Sequence, residues 1–221
     1  MKRQYLGDSK DSFKWDYHDY LASALGYPTL NIILMLTPDD NSKQGETKPE
    51  LFPARKAVVD FCRDLRKERD FQLITKLPSI TGAKYSVEFH KGENYLTNKN
   101  RREYFAGISG EKKQVVFLDP DNGFEPEQSS NKEHVLYEDV SSILDNISDK
   151  VVISVFHHFR RIRFNDDFTR IKERMHCGHA TAICWRYLMF VAISKSIDTI
   201  IKVHDINCQY SQGLSAVRIL E

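Results

Sequence analysis

The chain has 221 residues, 41% of them hydrophobic and 29% charged, and a formal net charge of +1. That length and balance suit a single globular domain over residues 1–221, long enough to bury a full core. So small a net charge excludes a global field drawing the protein onto nucleic acid or membrane, and any such binding has to come from local patches.

The longest apolar stretches, Leu30–Leu36 and Leu188–Ile193, fall well short of the ~20 residues of a membrane-spanning helix. The start, Met1-Lys2-Arg3-Gln4-Tyr5, runs into polar residues and offers no apolar signal core, so a cytoplasmic protein is expected. Cys62, Cys177, Cys184 and Cys208 form no Cys-x-x-Cys pair and read as reduced, partly buried thiols. His176-Cys177-Gly178-His179 has ligand-type residues but no second Cys/His pair near it in sequence, so a helix stop at Gly178 is the preferred reading over a zinc site.

In chain order, Gly7-Asp8-Ser9-Lys10-Asp11 is turn-like and caps a first helix, with Phe13, Tyr17, Tyr20, Leu21 and Ala24 on one face and Gly26-Tyr27-Pro28 as its stop. Asp8, Asp11, Asp16, Asp19 and His18 read as cap and solvated face, and a Gly turn before a helix N-terminus is suited to an anion. Leu30–Leu36 is the first apolar strand and ends in Thr37-Pro38-Asp39-Asp40. Pro53 opens a helix with Val58, Phe61, Cys62 and Leu65 inward, and residues 71–77 read as a short strand, followed by irregular or β-rich chain to Gly92. Asn98 caps a helix carrying Tyr104, Phe105 and Ile108.

Val115-Val116-Phe117-Leu118 is a continuous apolar run of the kind that central parallel strands show, and it ends in Asp119-Pro120-Asp121-Asn122-Gly123-Phe124-Glu125. A long acidic loop follows to about Glu133, then a helical stripe of Leu136, Val140, Ile143, Leu144 and Ile147. Val151–Phe156 is a second such strand, ending in His157-His158-Phe159-Arg160-Arg161. Phe164, Phe168, Ile171 and Met175 mark a further helix, and the tail reads as strands at Thr181–Trp185, Leu188–Ser194 and Ser215–Leu220. The alternation predicts an α/β fold, a three-layer sandwich around a mostly parallel sheet. Three strands then deliver acids or histidines to the carboxyl edge, where such folds place their sites.

Several families resemble parts of this pattern. Asp119-Pro120 at a strand end is similar to the Asp-Pro-Pro-Tyr signature of amino-methylating nucleic-acid methyltransferases. Here, however, Asp121-Asn122 replaces the second Pro and the aromatic, and Leu36–Asp40 replaces the Gly-rich cofactor turn. Asp119-x-Asp121 resembles the first motif of haloacid-dehalogenase-like phosphatases. A metal-dependent nuclease or phosphohydrolase would use Asp39, Asp40, Asp119, Asp121 and His157 as ligands for Mg²⁺ or Mn²⁺.

Val115–Gly123 also resembles the water-activating motif of the uracil-DNA glycosylase superfamily, and Val151–His158 with the Arg-rich stretch after it resembles that superfamily's second motif. The wider pattern of Gly7-Asp8, Leu36–Asp40, Asp119–Gly123 and His158-Phe159 is similar to a little-described bacterial family that includes phage-defence DNA glycosylases removing glucosylated cytosine. These resemblances imply a uracil-DNA-glycosylase-like or Rossmann-like fold and base excision from modified phage double-stranded DNA, with no metal and no cofactor. Asp119 or Asp121 would activate water, and His157 or His158 would assist the departing base. Asp39, Asp40, Asn122, Phe124 and Phe159 would shape the base pocket. Arg160, Arg161 and Arg163 would hold phosphates.

Overall fold

A computed structural model describes residues 1–40, 45–128, 130–175 and 178–221. His176 and Cys177, and with them the zinc question, lie outside the described residues. The elements run α1 (Ser9–Leu25), β1 (Thr29–Ile33), α2 (Lys56–Glu68), α3 (Leu77–Thr81), β2 (Ser86–Phe89), α4 (Arg101–Phe105), β3 (Gln114–Leu118), β4 (Gly123–Phe124), β5 (His134–Val135) and α5 (Tyr137–Asp145). They continue with β6 (Val151–His158), α6 (Phe164–Arg174), β7 (His179–Trp185), β8 (Leu188–Ser194), α7 (Ile197–Ser211) and β9 (Val217–Leu220).

Among the described residues, seven strands form one sheet in the order β2-β1-β3-β6-β8-β7-β9, and β4 and β5 pair separately. The expected α/β sandwich is present. Leu30 and Ile32 of β1, Val115 and Phe117 of β3, and Val152 and Phe156 of β6 pack into one core with α1, α2 and α7. Their neighbours Ile33, Val116, Leu118, Ile153 and Val155 pack on the opposite face with α4, α5 and α6. Burial on both faces is why these strands read as unbroken apolar runs. The parallel part is β2-β1-β3-β6. The far side is antiparallel, because Arg186-Tyr187 joins β7 to β8 as a two-residue hairpin, and β8 and β9 pair antiparallel to β6 and β7. Among the described residues no helix is long and apolar enough to cross a membrane.

Three local expectations are corrected. Residues 71–77 are not a strand: Phe71–Lys76 is a 3-10 helix running into α3, and its buried Phe71, Ile74 and Leu77 recur every third residue as that helix requires. The three tail strands stand as β7, β8 and β9, but an unanticipated helix, α7, lies between the last two; Ser196 Oγ caps it by accepting from Thr199 N, and β-branched Ile197, Thr199, Ile200, Ile201 and Val203 disguise it.

The third correction concerns α1, whose polar residues are not solvated. The helix lies between the sheet and the outer helices, and Asp8, Asp11, Asp16, His18 and Asp19 are all buried. Distant residues satisfy them. Asp16 takes Arg55 at 2.7 Å and the Tyr210 hydroxyl at 2.8 Å, and Asp19 takes the Tyr85 hydroxyl at 2.7 Å. His18 Nδ1 donates to Lys14 O, and its Nε2 accepts from Ser154 on β6 at 2.8 Å. Burial lowers its pKa to about 3, so the ring is neutral.

Candidate active site

From β1 the chain turns one way to β2 and the other to β3, so the crevice outside the carboxyl ends of β1 and β3 is the topological switch point of the parallel half. The N-terminal residues fill its base. The Met1 amino group donates to Met35 O at 3.0 Å and Asp119 O at 3.1 Å, and Met1 O accepts from Thr37 N at 3.0 Å. Above them opens a cavity of about 390 Å³ lined by both chain ends of the crevice and by the first turns of α1, with Phe156 and His158 of β6 on its other side.

Charge is arranged at its floor in alternation. Lys14 Nζ, fully buried, bridges Asp119 Oδ2 at 2.7 Å and Asp11 Oδ1 at 2.8 Å. Asp121 Oδ1 lies 2.9 Å from the Met1 amino nitrogen, and the Thr37 hydroxyl donates to Asp121 Oδ2. Lys2 reaches Asp40 at 3.2 Å, Glu133 at 3.3 Å and Asp121 at 3.5 Å. Burial alone would lower the Lys14 ammonium, but Asp11 and Asp119 outweigh it and hold its pKa above the ordinary lysine range. Burial would likewise raise Asp121, but the Met1 amino group, Thr37 and Lys2 keep it below the usual carboxylate range. For Asp119, burial wins over Lys14 and the Met1 amino group, and its pKa is raised.

Asp8 completes the floor. Its Oδ1 caps α1 by accepting from Lys10 N at 2.8 Å and Asp11 N at 3.0 Å, whereas its buried Oδ2, on a side chain lining the cavity, has no hydrogen-bond partner among the described residues. Burial, reinforced by the charge of Asp11 and only partly offset by the Asp11 amide and the charges of Lys10 and Lys14, pushes its pKa up to about 6. An acid poised near neutrality in a cleft is the environment expected of a proton-transfer group. The α1 N-terminus is thus filled by the chain's own carboxylates rather than open to an external anion. Gly7 makes this turn possible: at φ +75° its amide donates to Asp11 Oδ2 at 2.8 Å, and a Cβ there would sit 2.2 Å from Cys62 O. Gly7→Ala is therefore expected to lower stability by about 2 kcal/mol or more, read as a drop in the denaturation midpoint.

The residues anticipated from sequence divide into three groups. Asp40, Asp119, Asp121, Asn122 and His158 meet at the cavity. Asp39 instead caps the N-terminal turn by accepting from Gln4 N at 3.1 Å. The two histidines part company. His157 is fully buried, with Nδ1 accepting from Phe124 N at 3.1 Å and Nε2 donating to Asp167 at 2.7 Å. Burial lowers its pKa against the pull of Asp167, so it is a neutral latch between β6, β4 and α6. Phe124 is buried against Tyr137, ring centroids 5.2 Å apart, and Arg160 ties Phe124 O (2.8 Å) to Asp167 (2.6 Å). Both support the loop behind the cleft. Gly123 is forced there: a Cβ at its φ of +96° would meet His157 Nδ1 at 2.3 Å. Phe159, Arg161 and Arg163 are exposed.

Lys14, Lys2, Met1 and Glu133 were not anticipated. The trace they leave is Asp8-x-x-Asp11-x-x-Lys14, whose spacing of three puts acids and base on one helical face. Of the ligands a metal-dependent nuclease would use, Asp39 and His157 lie outside the cavity, and the others already face ammonium groups. Among the described residues no three Asp, Glu, His or Cys side chains are arranged to hold a metal ion. No family model matches the chain, and no curated protein is significantly similar to it.

Proposed function

We propose that the cleft hydrolyses an N-glycosidic bond. The observation that carries this reading is the pair of carboxylates at the end of β3, Asp119 and Asp121, held by the Lys14 ammonium group at 2.7 Å and the Met1 amino group at 2.9 Å in a cleft of nucleoside-compatible size. As the C1′–N bond breaks, its electron pair leaves with the base and positive charge develops on the sugar. Asp121, held ionised, stabilises that charge, while Asp119, whose Oδ1 carries no hydrogen bond among the described residues, orients water and takes its proton as oxygen bonds to C1′. Asp8 supplies the proton to the base. The contact of His158 Nδ1 with Phe159 O, 3.3 Å, fits the tautomer that donates there, leaving Nε2 to accept from an exocyclic amino group.

The particular enzyme we infer is a DNA glycosylase excising a modified cytosine, glucosylated in phage DNA, to leave an abasic site. The sequence resemblances support that choice of substrate. The test incubates protein with glucosylated and plain duplexes in EDTA, then adds alkali. Breaks that appear only after alkali, only on modified DNA, and not with Asp121→Asn, are expected. Cleavage without alkali that EDTA abolishes would make the protein a nuclease and overturn the reading.

A further inference from the structure

Beyond His158, the chain passes directly from the cleft to a second cavity of about 530 Å³. Its character differs: Phe159 and Tyr187 give it aromatic surface, Arg163, Arg186 and Arg218 give it charge, and Asp166 is the acid among its described lining residues. Phe159 is 37% exposed and Tyr187 64%, although aromatic rings are ordinarily the groups a fold hides. Their rings lie 6.2 Å apart, and Phe159 N donates to Tyr187 O at 2.8 Å, which ties the end of β6 to the hairpin.

None of the three guanidinium groups has a carboxylate partner among the described residues, whereas nearby Arg160 and Arg170 are both locked to Asp167. Arg186 is also the first residue of the two-residue β7–β8 turn, at φ +51°, a position hairpins usually give to Gly or Asn. The strain of an arginine there is maintained where its charge joins two others.

We propose that this cavity is a nucleotide-binding platform for the strand flanking the target. A base stacks on Phe159 and Tyr187 while neighbouring phosphates lie on Arg163, Arg186 and Arg218. Stacking faces combined with planar forked donors fit a nucleic acid strand better than an acidic polypeptide, which offers carboxylates but few π-faces. The inference rests on the reading of the cleft as acting on DNA. It also accounts for how a chain of net charge +1 would hold a polyanion, by gathering in one cavity three arginines without a carboxylate partner among the described residues.

The test measures anisotropy of a labelled, unmodified 20-base-pair duplex and its single strand between 50 and 200 mM salt, with excision of modified DNA read in parallel. Arg163→Ala/Arg218→Ala is expected to weaken binding and reduce the salt slope by about 2, one per lost phosphate contact. Tyr187→Ala should weaken binding about tenfold with the slope unchanged. Arg186→Gly should weaken binding while keeping or raising the melting temperature, which separates a ligand role from a structural one. Wild-type binding by all three variants would overturn the platform, as would polyglutamate competing as well as DNA with Tyr187→Ala inert. Loss of binding in the variants without any excision by wild type would sink the cleft reading and leave the platform standing. Binding and excision both unaffected in every variant would do the reverse.

Discussion

Replacing Lys14 by methionine is expected to cost about 3–5 kcal/mol of stability, because it strands two buried carboxylates that the ammonium now joins. Lys14 Nζ sits within 2.8 Å of both Asp11 and Asp119, and all three side chains are almost wholly buried. With the lysine gone, the acids face each other with no cation between them, and Asp119, already raised by burial, rises further. A carboxyl whose folded pKa lies above its unfolded value loses stability as pH rises, so the deficit should be smaller at pH 5 than at pH 8. Urea denaturation at both values checks this, and Asp11→Asn/Lys14→Met should recover part of the loss at pH 8. A deficit under about 1 kcal/mol at pH 8 would mean that the bridge contributes little.

Asp8→Asn should pull activity and stability in opposite directions. Asparagine caps a helix about as well as aspartate, so the bonds to the Lys10 and Asp11 amides survive. What disappears is a buried charge beside Asp11. Since the Asp8 pKa is raised to about 6, its folded form prefers the proton, and stability falls as pH climbs from about 4 to 6. The variant should escape that fall and melt higher than wild type at pH 7, by an amount corresponding to at most roughly 3 kcal/mol. If Asp8 protonates the departing base, wild-type excision declines as pH rises through about 6, and the variant loses about 10²-fold or more in kcat with no such decline left. Excision at the wild-type rate by Asp8→Asn would remove Asp8 from the chemistry, whereas the melting result tests the buried charge independently.

The cleft was legible from sequence where it rests on strands. Val115–Leu118 and Val151–Phe156 carry the apolar runs of doubly covered strands, and acids at their carboxyl ends follow from the architecture. What stayed hidden depends on contacts between residues far apart in the chain. Asp11 and Lys14 look like a solvated helical face until Asp119, 105 positions on from Lys14, closes over them. His157 and His158 are adjacent and chemically identical, yet the pleat sends one behind the strand to Asp167 and leaves the other beside the cavity. Arg160 likewise resembles Arg161 and Arg163 until the Phe124 carbonyl and Asp167 occupy it.

The bond from Met1 to Asp119 spans 118 positions, whereas β7 and β8 meet across a two-residue turn. Loop-closure entropy favours the short connection, so the hairpin half of the sheet should assemble early and the junction at the β1 and β3 ends late. The same asymmetry governs the native state. Peeling away the first few residues would break the bonds to Met35, Thr37, Asp119 and Asp121 while leaving the sheet intact. Amide protons around the cleft should therefore exchange through a low-energy local opening, and those of β7 and β8 only with global unfolding.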